Sequence, residues 1–508
     1  MTDILFGQSY YLYFDPKLYA AMQPYPPLGT LYAVSYMRAR GWSAALFDAM
    51  LSAGPHEWDS ALRQHTPRYA VIFEDNFNYL SKMSLLRMRE AAFLMLDYAK
   101  ARGSVTIACG ADMTDHAELY LQRGADFVLI GEGEETLAEL VAFLDAAGAR
   151  SADNLPDGSG LYAIRGLAYH QNGQVIRTPA RPVIRDLDSL PLPAWDMVDY
   201  AKYRSLWQAH HGYTSLNLVT TRGCPFHCNW CAKPIWGQKY SVRSPQNVVA
   251  EMRWLKDAFN PDHIWFMDDI MGIQDRWIEH FADELDAAGL RIPFKSLNRV
   301  DLLLRGRTIP ALARAGAQIV WVGAESGSQK ILDAMDKGTT VEQIYEATRQ
   351  LHAHGVKVAF FLQFGYPGET RDDIELTLKM VRDLMPDDIG ISVSYPLPGT
   401  PFYERVRHEL GERANWHDSA DLAMLYQGPF ATAFYRQLHT VVHKDYRSRR
   451  MWASLRAALR KPANLRPAHI RQTAAMIYHW LTLPGARREL DRLARLPHDP
   501  TRLPNVTV

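Results

Sequence analysis

Arg222-Gly223-Cys224-Pro225-Phe226-His227-Cys228-Asn229-Trp230-Cys231 is the stretch from which the rest of this chain is read. Three of the chain's four cysteines fall inside it, at the spacing C-x3-C-x2-C. Four cysteines among 508 residues cannot staple a disulfide scaffold. Their clustering therefore points to a metal site in a reducing compartment. Three thiolates at this spacing suit three irons of a [4Fe–4S] cube, whereas a fully ligated cluster takes four cysteines. The fourth iron is then left without a protein ligand, and open metal positions are where substrates bind. The competing reading is zinc, with His227 as fourth ligand. Zinc sites more often pair two C-x2-C knuckles, and this sequence has no second knuckle. His227 also adjoins Cys228, an awkward chelate.

Working outward, the cysteine stretch follows an apolar run at 216–220, the first of six candidate strands. The others are 263–267, 294–298, 318–322, 357–364 and 389–394. Helical patterns at 245–259, 275–289, 308–315, 329–335, 341–355 and 371–385 alternate with them. Six strand–helix units predict a partial (β/α)6 TIM-like barrel over residues 206–405, with chemistry at the carboxyl ends of its strands. Upstream, residues 1–150 alternate strands at 4–7, 44–48, 69–73, 105–109 and 127–130 with helices, which predicts a doubly wound, Rossmann-like parallel sheet. Ligands of such sheets sit at the strands' carboxyl ends, here Gln8, Asp48, Glu74-Asp75, Gly110-Ala111-Asp112 and Gly131-Glu132-Gly133. Residues 151–205 read as a proline-punctuated connector with a short hairpin across Asn172-Gly173. Residues 406–508 read as a helical extension. Cys109, alone at a strand end, is expected to be buried and inert.

The cysteine stretch resembles the signature of the radical S-adenosylmethionine (radical SAM) superfamily, with Trp230 in the aromatic place before the third cysteine. Weaker matches follow in order at strand ends. They are Phe266-Met267-Asp268-Asp269, Gly323-Ala324-Glu325-Ser326-Gly327-Ser328, Gly365-Tyr366-Pro367-Gly368-Glu369-Thr370 and Pro396-Leu397-Pro398-Gly399-Thr400-Pro401. Each alone is only turn and cap chemistry. The resemblance implies that Cys224, Cys228 and Cys231 hold a [4Fe–4S] cluster. It implies S-adenosylmethionine on the open iron, contacted by Trp230, Asp268, Asp269, Glu325, Ser326 and Gly365, and cleaved reductively to a 5′-deoxyadenosyl radical.

A second resemblance lies in the first domain. Pro26-Pro27-Leu28-Gly29 and Gly131-Glu132-Gly133-Glu134-Glu135-Thr136 are similar to the cobalamin-binding domain that precedes many radical SAM enzymes. It implies cobalamin contacts at Pro27, Gly29, Asp75, Gly110, Gly131, Glu132 and Gly133, with the glycines giving the corrin close access. There is no D-x-H-x-x-G motif, so no histidine is placed to replace the lower base.

Together these resemblances imply a cobalamin-dependent C-methyltransferase acting on an unactivated carbon. A non-methylating relative, such as the anaerobic Mg-protoporphyrin monomethyl ester cyclase or a ring-rearranging enzyme, is the alternative. A non-catalytic metal-binding regulator is a third. The expected partners are a small-molecule or lipid-like substrate and a flavodoxin or ferredoxin electron donor. Lys+Arg and Asp+Glu both number 56, and no nucleic-acid module is present. Residues 431–471 hold ten Lys/Arg against one acidic residue, with aromatics interleaved. That reads as a solvated basic face, or as a patch for an anionic substrate or a membrane surface. The N-terminus lacks a signal-peptide pattern, so the cytoplasm is the expected location.

Overall fold

The computed structural model describes residues 2–154, 160–411, 414–460 and 467–496. Parts of the expected connector and helical extension, 155–159, 412–413, 461–466 and 497–508, lie outside the described residues.

The first sheet begins with five parallel strands, β1 (Ile4–Gly7), β2 (Ala44–Leu46), β3 (Tyr69–Phe73), β4 (Val105–Cys109) and β5 (Phe127–Leu129), in the order β2-β1-β3-β4-β5. β1, β3, β4 and β5 are buried throughout, as unbroken apolar runs require when helices cover both faces. Two separate apolar cores, one around Phe6, Val71 and Ile107 and one around Leu5, Ile72 and Met95, fill those faces. The strand order reverses between β1 and β3, which is the switch point where open sheets of this kind bind ligands.

The hairpin at Asn172-Gly173 departs from expectation in its place. β6 (Leu167–Gln171) pairs antiparallel with β5, and β7 (Gln174–Arg177) with β6. Both turn residues are left-handed, with φ of 50° and 75°, the type I′ geometry of a two-residue hairpin. The first sheet therefore has seven strands and runs to Arg177, not to 150. A hairpin signal is local and does not say which edge the hairpin extends.

The second sheet is six-stranded and parallel, in chain order: β8 (Ser215–Leu218), β11 (His263–Phe266), β12 (Phe294–Asn298), β13 (Ala317–Glu325), β14 (Lys357–Phe364) and β15 (Asp388–Val393). Between β8 and β11, the two-residue strands β9 (Thr221–Arg222) and β10 (Ser241–Val242) pair antiparallel and pinch the base of the cysteine loop. The helices between strands are capped by their own sequence. Ser244 accepts from Asn247 N with Pro245 next in line, and Thr340 with Gln343 closes a capping box.

The two sheets share one core, in which Tyr10, Leu28, Tyr32 and Phe77 of the first pack with residues of the second. Polar ties cross the same boundary. Arg243 pairs with Glu251 at 2.5 Å and donates to Tyr32 Oη at 3.1 Å. Trp195 Nε1 donates to Glu251 at 2.9 Å. The helices Thr432–Arg460 and Pro467–Leu493 form an antiparallel hairpin, registered by Gln437 on Ala486 O and Lys444 on Thr482 Oγ1. Among the described residues, no helix is long and apolar enough to cross a membrane.

Candidate active site

The loop between β9 and β10 carries Cys224 and Cys228, both buried, and the half-buried Cys231. His227 is exposed, so the histidine of the zinc reading stands at the surface beside buried thiols. Burial pushes the Cys224 thiol up, and the Cys231 thiol up to about 11. Thiols in such surroundings become thiolates only against a metal. Among the described residues, no three His, Cys, Asp or Glu side chains meet at one point as ligands of a single ion. A cube takes each thiolate on a different iron, so it does not require them to meet.

Asn229, between the second cysteine and Trp230, fixes the loop. Its backbone N donates to Met335 O at 3.1 Å, and its O accepts from Phe402 N at 3.0 Å. Its Nδ2 donates to Ala334 O and Asp336 Oδ2, each at 2.8 Å, and its Oδ1 accepts from Tyr366 Oη at 2.7 Å. One residue thus ties the loop to the segments after β13, β14 and β15. Arg299, just past β12, is stacked 3.7 Å over Phe226 and donates to Cys228 Sγ at 3.8 Å.

Asp268 and Asp269 follow β11, but Asp268 is used otherwise than expected. It is buried and accepts from Thr220 N, Thr220 Oγ1 and Thr221 N at 2.6–2.9 Å. These bonds staple the end of β8 to β11 and leave it little capacity for a ligand ammonium. Asp269 remains partly open and pairs with Lys82, which reaches across from the first domain.

Glu325 ends β13 with φ +55° beside a register shift at Gly323. A left-handed glutamate is a strained position that the surroundings must hold in place. Its carboxylate pairs with Lys337 at 2.7 Å, both buried. Burial disfavours the Lys337 ammonium, but Glu325 and the Cys228 thiol together hold its pKa above the ordinary lysine value. Ser326 is buried inside the turn, its Oγ accepting from Ser328 N and sharing a hydrogen with Thr377 Oγ1. Gly365 is covered: an added Cβ would sit 2.4 Å from Met424. Neither Ser326 nor Gly365 is open to a ligand as expected. Trp230 is half-buried with its Nε1 unpartnered, and Lys337 stands 5.9 Å from its ring. Tyr203 and Tyr395 are engaged with Asp48 and Met83 O, respectively.

Tyr79 closes the stretch Glu74–Tyr79, which the sequence marks as unusually polar and aromatic for the end of the third strand. Its surface is 54% exposed, while protein around the hydroxyl encloses it enough to disfavour the ionised form. That enclosure, with Cys231, Glu325 and Asp269 nearby, raises the phenol far above its ordinary value.

The first domain's expected contacts fall at the facing wall. Its glycines chiefly let chain segments approach each other. A Cβ on Gly29 would meet Asn76 N at 3.0 Å, on Gly110 the Glu74 side chain at 2.6 Å, and on Gly133 Cys109 Sγ at 2.4 Å. The expected role of these three as clearance for a flat ring is thus replaced by contact within the protein. Pro27 caps the helix Leu28–Arg38, and Asp75 accepts from Gly29 N at 2.9 Å. Glu132 is spent on Arg222, at 2.5 Å, with Glu134 on the same guanidinium at 2.8 Å. Gly131 is left-handed beside Ile235 O. What remains unsatisfied is the pair of loops at the switch point. Gln8 Nε2, Tyr10 Oη, Glu74 Oε2, Asp75 Oδ2, Asn76 Oδ1, Asn78 Nδ2, Ser81 Oγ and Ser84 Oγ are buried without a hydrogen-bond partner. Buried polar groups are normally paired, so eight orphans along two adjacent segments are what a polar ligand's seat would leave. Phe77 of that wall stacks on Trp236 of the cysteine loop at 5.2 Å, so the two sites share a boundary.

Residues 218–381 match the model of the radical SAM superfamily. An uncharacterized methyltransferase of Pyrococcus horikoshii is 30% identical over 293 residues, 57% of this chain and 60% of the relative. An anaerobic magnesium-protoporphyrin IX monomethyl ester cyclase of Rubrivivax gelatinosus is 27% identical over 406 residues, 78% of this chain and 68% of the relative. The match thus spans 60% of the length of the first of these relatives. The structure of the radical S-adenosylmethionine methyltransferase TsrM from Kitasatospora setae, with cobalamin and a [4Fe–4S] cluster bound, shares the fold. Its TM-score is 0.63 at 18% identity, over 81% of this chain and 79% of that one. The cysteine loop thus lies inside the segment that matches the radical SAM superfamily.

Proposed function

We propose that this protein is a cobalamin-dependent radical SAM methyltransferase whose cluster ligands are Cys224, Cys228 and Cys231. The observation that carries the reading is the shared boundary. The pinned cysteine loop packs, through Trp236, on the Phe77 loop of the wall where eight buried polar groups lack partners. A corrin bears a rim of amide side chains, which suits such a wall. When bound, the cluster supplies the electron that breaks a sulfur–carbon bond of S-adenosylmethionine, and cobalamin carries the methyl group.

The chain's own residues do the rest. Asn229 and the β9–β10 pinch fix the loop that presents the three thiols. The ion pairs Lys82–Asp269 and Lys337–Glu325 offer both signs of charge at the mouth, as a zwitterionic amino-acid moiety requires. The Phe77–Trp236 stack closes the boundary between the two seats and excludes water there. Methyltransfer is supported by the name of the Pyrococcus relative and by the fold shared with TsrM. Cyclisation is the second reading, favoured by the longer match to the Rubrivivax protein.

The test is to reconstitute the full chain anaerobically with iron, sulfide and cobalamin, and to supply methyl-labelled S-adenosylmethionine with the small-molecule fraction of the source cell. Methyltransfer predicts label in a new product and cobalamin retained through gel filtration. A new product without label would favour cyclisation, and failure to retain cobalamin would refute the reading of the first domain.

A further inference from the structure

The helical hairpin at the carboxyl end plays no part in either seat. Its inner part is anchored on the barrel by Tyr446 on Pro386 O, Arg450 near Asp387 and Arg371 on Asp491. On the solvent side of the hairpin, large apolar side chains are exposed. Trp452 and Leu459 are 54% and 56% exposed on the first helix. Ile477, Tyr478, Trp480 and Leu481 are 46–69% exposed on the second. Scattered surface apolar residues are ordinary, but a group of this size on one element marks an interaction surface.

The charge of the same segment identifies the partner. Residues 444–481 contain nine Lys/Arg and one acidic residue, Asp445, in a chain whose total charges cancel. Asp445 is buried and surrounded by Arg449 at 2.8 Å, Arg487 at 3.4 Å and Arg382 at 3.8 Å. The acid is neutralised inside, and the face left outside is cationic. A second copy of the hairpin would set like charge against like. Nucleic acid would gain nothing from the aliphatic Leu459, Ile477 and Leu481. Tryptophan and tyrosine with aliphatic neighbours, flanked by arginine, are the composition of a segment that lies in the headgroup region of a bilayer.

We infer that the solvent face of this hairpin is a peripheral docking surface for an anionic lipid bilayer. The apolar side chains enter the interface and the arginines meet the headgroups. The cluster seat lies elsewhere in the fold, so docking and cluster binding are separable.

The experiment is co-sedimentation of the full chain with phosphatidylcholine vesicles, with and without phosphatidylglycerol, at low and high salt. The expected result is binding to the phosphatidylglycerol vesicles, lost at high salt. Trp480→Ser with Leu481→Ser should weaken it about tenfold or more, and Arg447→Glu with Arg456→Glu should weaken it as well. Thermal unfolding and cluster absorbance should stay as in the parent. Equal, salt-independent binding to both vesicles, no pelleting with either, or undiminished binding of the Trp480/Leu481 variant would overturn the inference. So would a parent dimer that this variant turns into a monomer, since the surface would then belong to a second copy.

Discussion

Arg299 donates to the sulfur of Cys228 across 3.8 Å, and its guanidinium is fixed on three other sides. Phe226 stacks on it at 3.7 Å, Lys337 O accepts at 2.8 Å and Asp301 pairs at 2.9 Å. A buried cation donating to a cluster thiolate stabilises the reduced, more negative cluster, since hydrogen bonds to sulfur and net charge set such potentials. Arg299→Leu should lower the reduction potential by on the order of tens of millivolts, and Arg299→Lys should restore part of the loss. Redox titration followed by electron paramagnetic resonance measures it. An unchanged potential would show that the contact does not persist with iron in place.

The Arg222–Glu132–Glu134 group makes a separate prediction about stability. It joins the residue two before Cys224 to the loop after β5, and all three side chains are buried. Burial opposes the Arg222 charge, yet the two glutamates hold it firmly protonated. Arg222→Met would leave two buried carboxylates unpaired and should cost about 3–5 kcal/mol in urea unfolding. Adding Glu132→Gln and Glu134→Gln should recover most of that. A loss below about 1 kcal/mol, the range of exposed pairs, would contradict the buried geometry.

Tyr79 stands near Cys231, Glu325 and Asp269. Tyr79→Phe removes only a hydroxyl from that group. It should leave cluster content and thermal stability as they are while changing product formation by about tenfold or more, as expected of a polar contact made to a bound molecule. Turnover equal to the parent's would remove Tyr79 from the site.

Much of this architecture was legible in the sequence because its signals are local. The strands at 294–298 and 357–364 and the helices at 245–259 and 308–315 fall where apolar periodicity and caps put them. The end of β13 ran three residues past the reading, because a glutamate at positive φ after Gly323-Ala324 looks like a turn. Partners far apart in sequence were not legible. Asp268 looked like a ligand and is a staple for Thr220. Gly29 and Gly110 looked like clearance for a cofactor and are clearance for the chain from Asn76 and Glu74. Lys82 and Arg299 carry no motif of their own, and only folding brings them to the cysteine loop, as it brings Ala334, Asp336 and Tyr366 to Asn229.

Glu369 supplies a prediction about pH. Its Oε2 accepts from Gly365 N at 2.6 Å, its Oε1 has no partner, and burial pushes its pKa up to about 8. A carboxyl held neutral in the fold stabilises fully below the pH at which the unfolded chain's glutamate ionises. That contribution is lost as pH rises from there through about 8. Unfolding free energy should therefore fall across this window, by roughly 5 kcal/mol at most from this group. Glu369→Gln should flatten the slope. An equal slope in the variant would mean that Glu369 ionises normally in the fold.

The central claim is that the three thiols hold a cube with one iron open to S-adenosylmethionine, and its most direct test is spectroscopic. Anaerobically reconstituted protein, reduced and frozen with and without S-adenosylmethionine, should show a [4Fe–4S] resonance whose g-values shift when the nucleotide is added. The Cys228→Ala variant should show no such signal. Zinc in place of iron and sulfide, or a resonance indifferent to S-adenosylmethionine, would contradict the account.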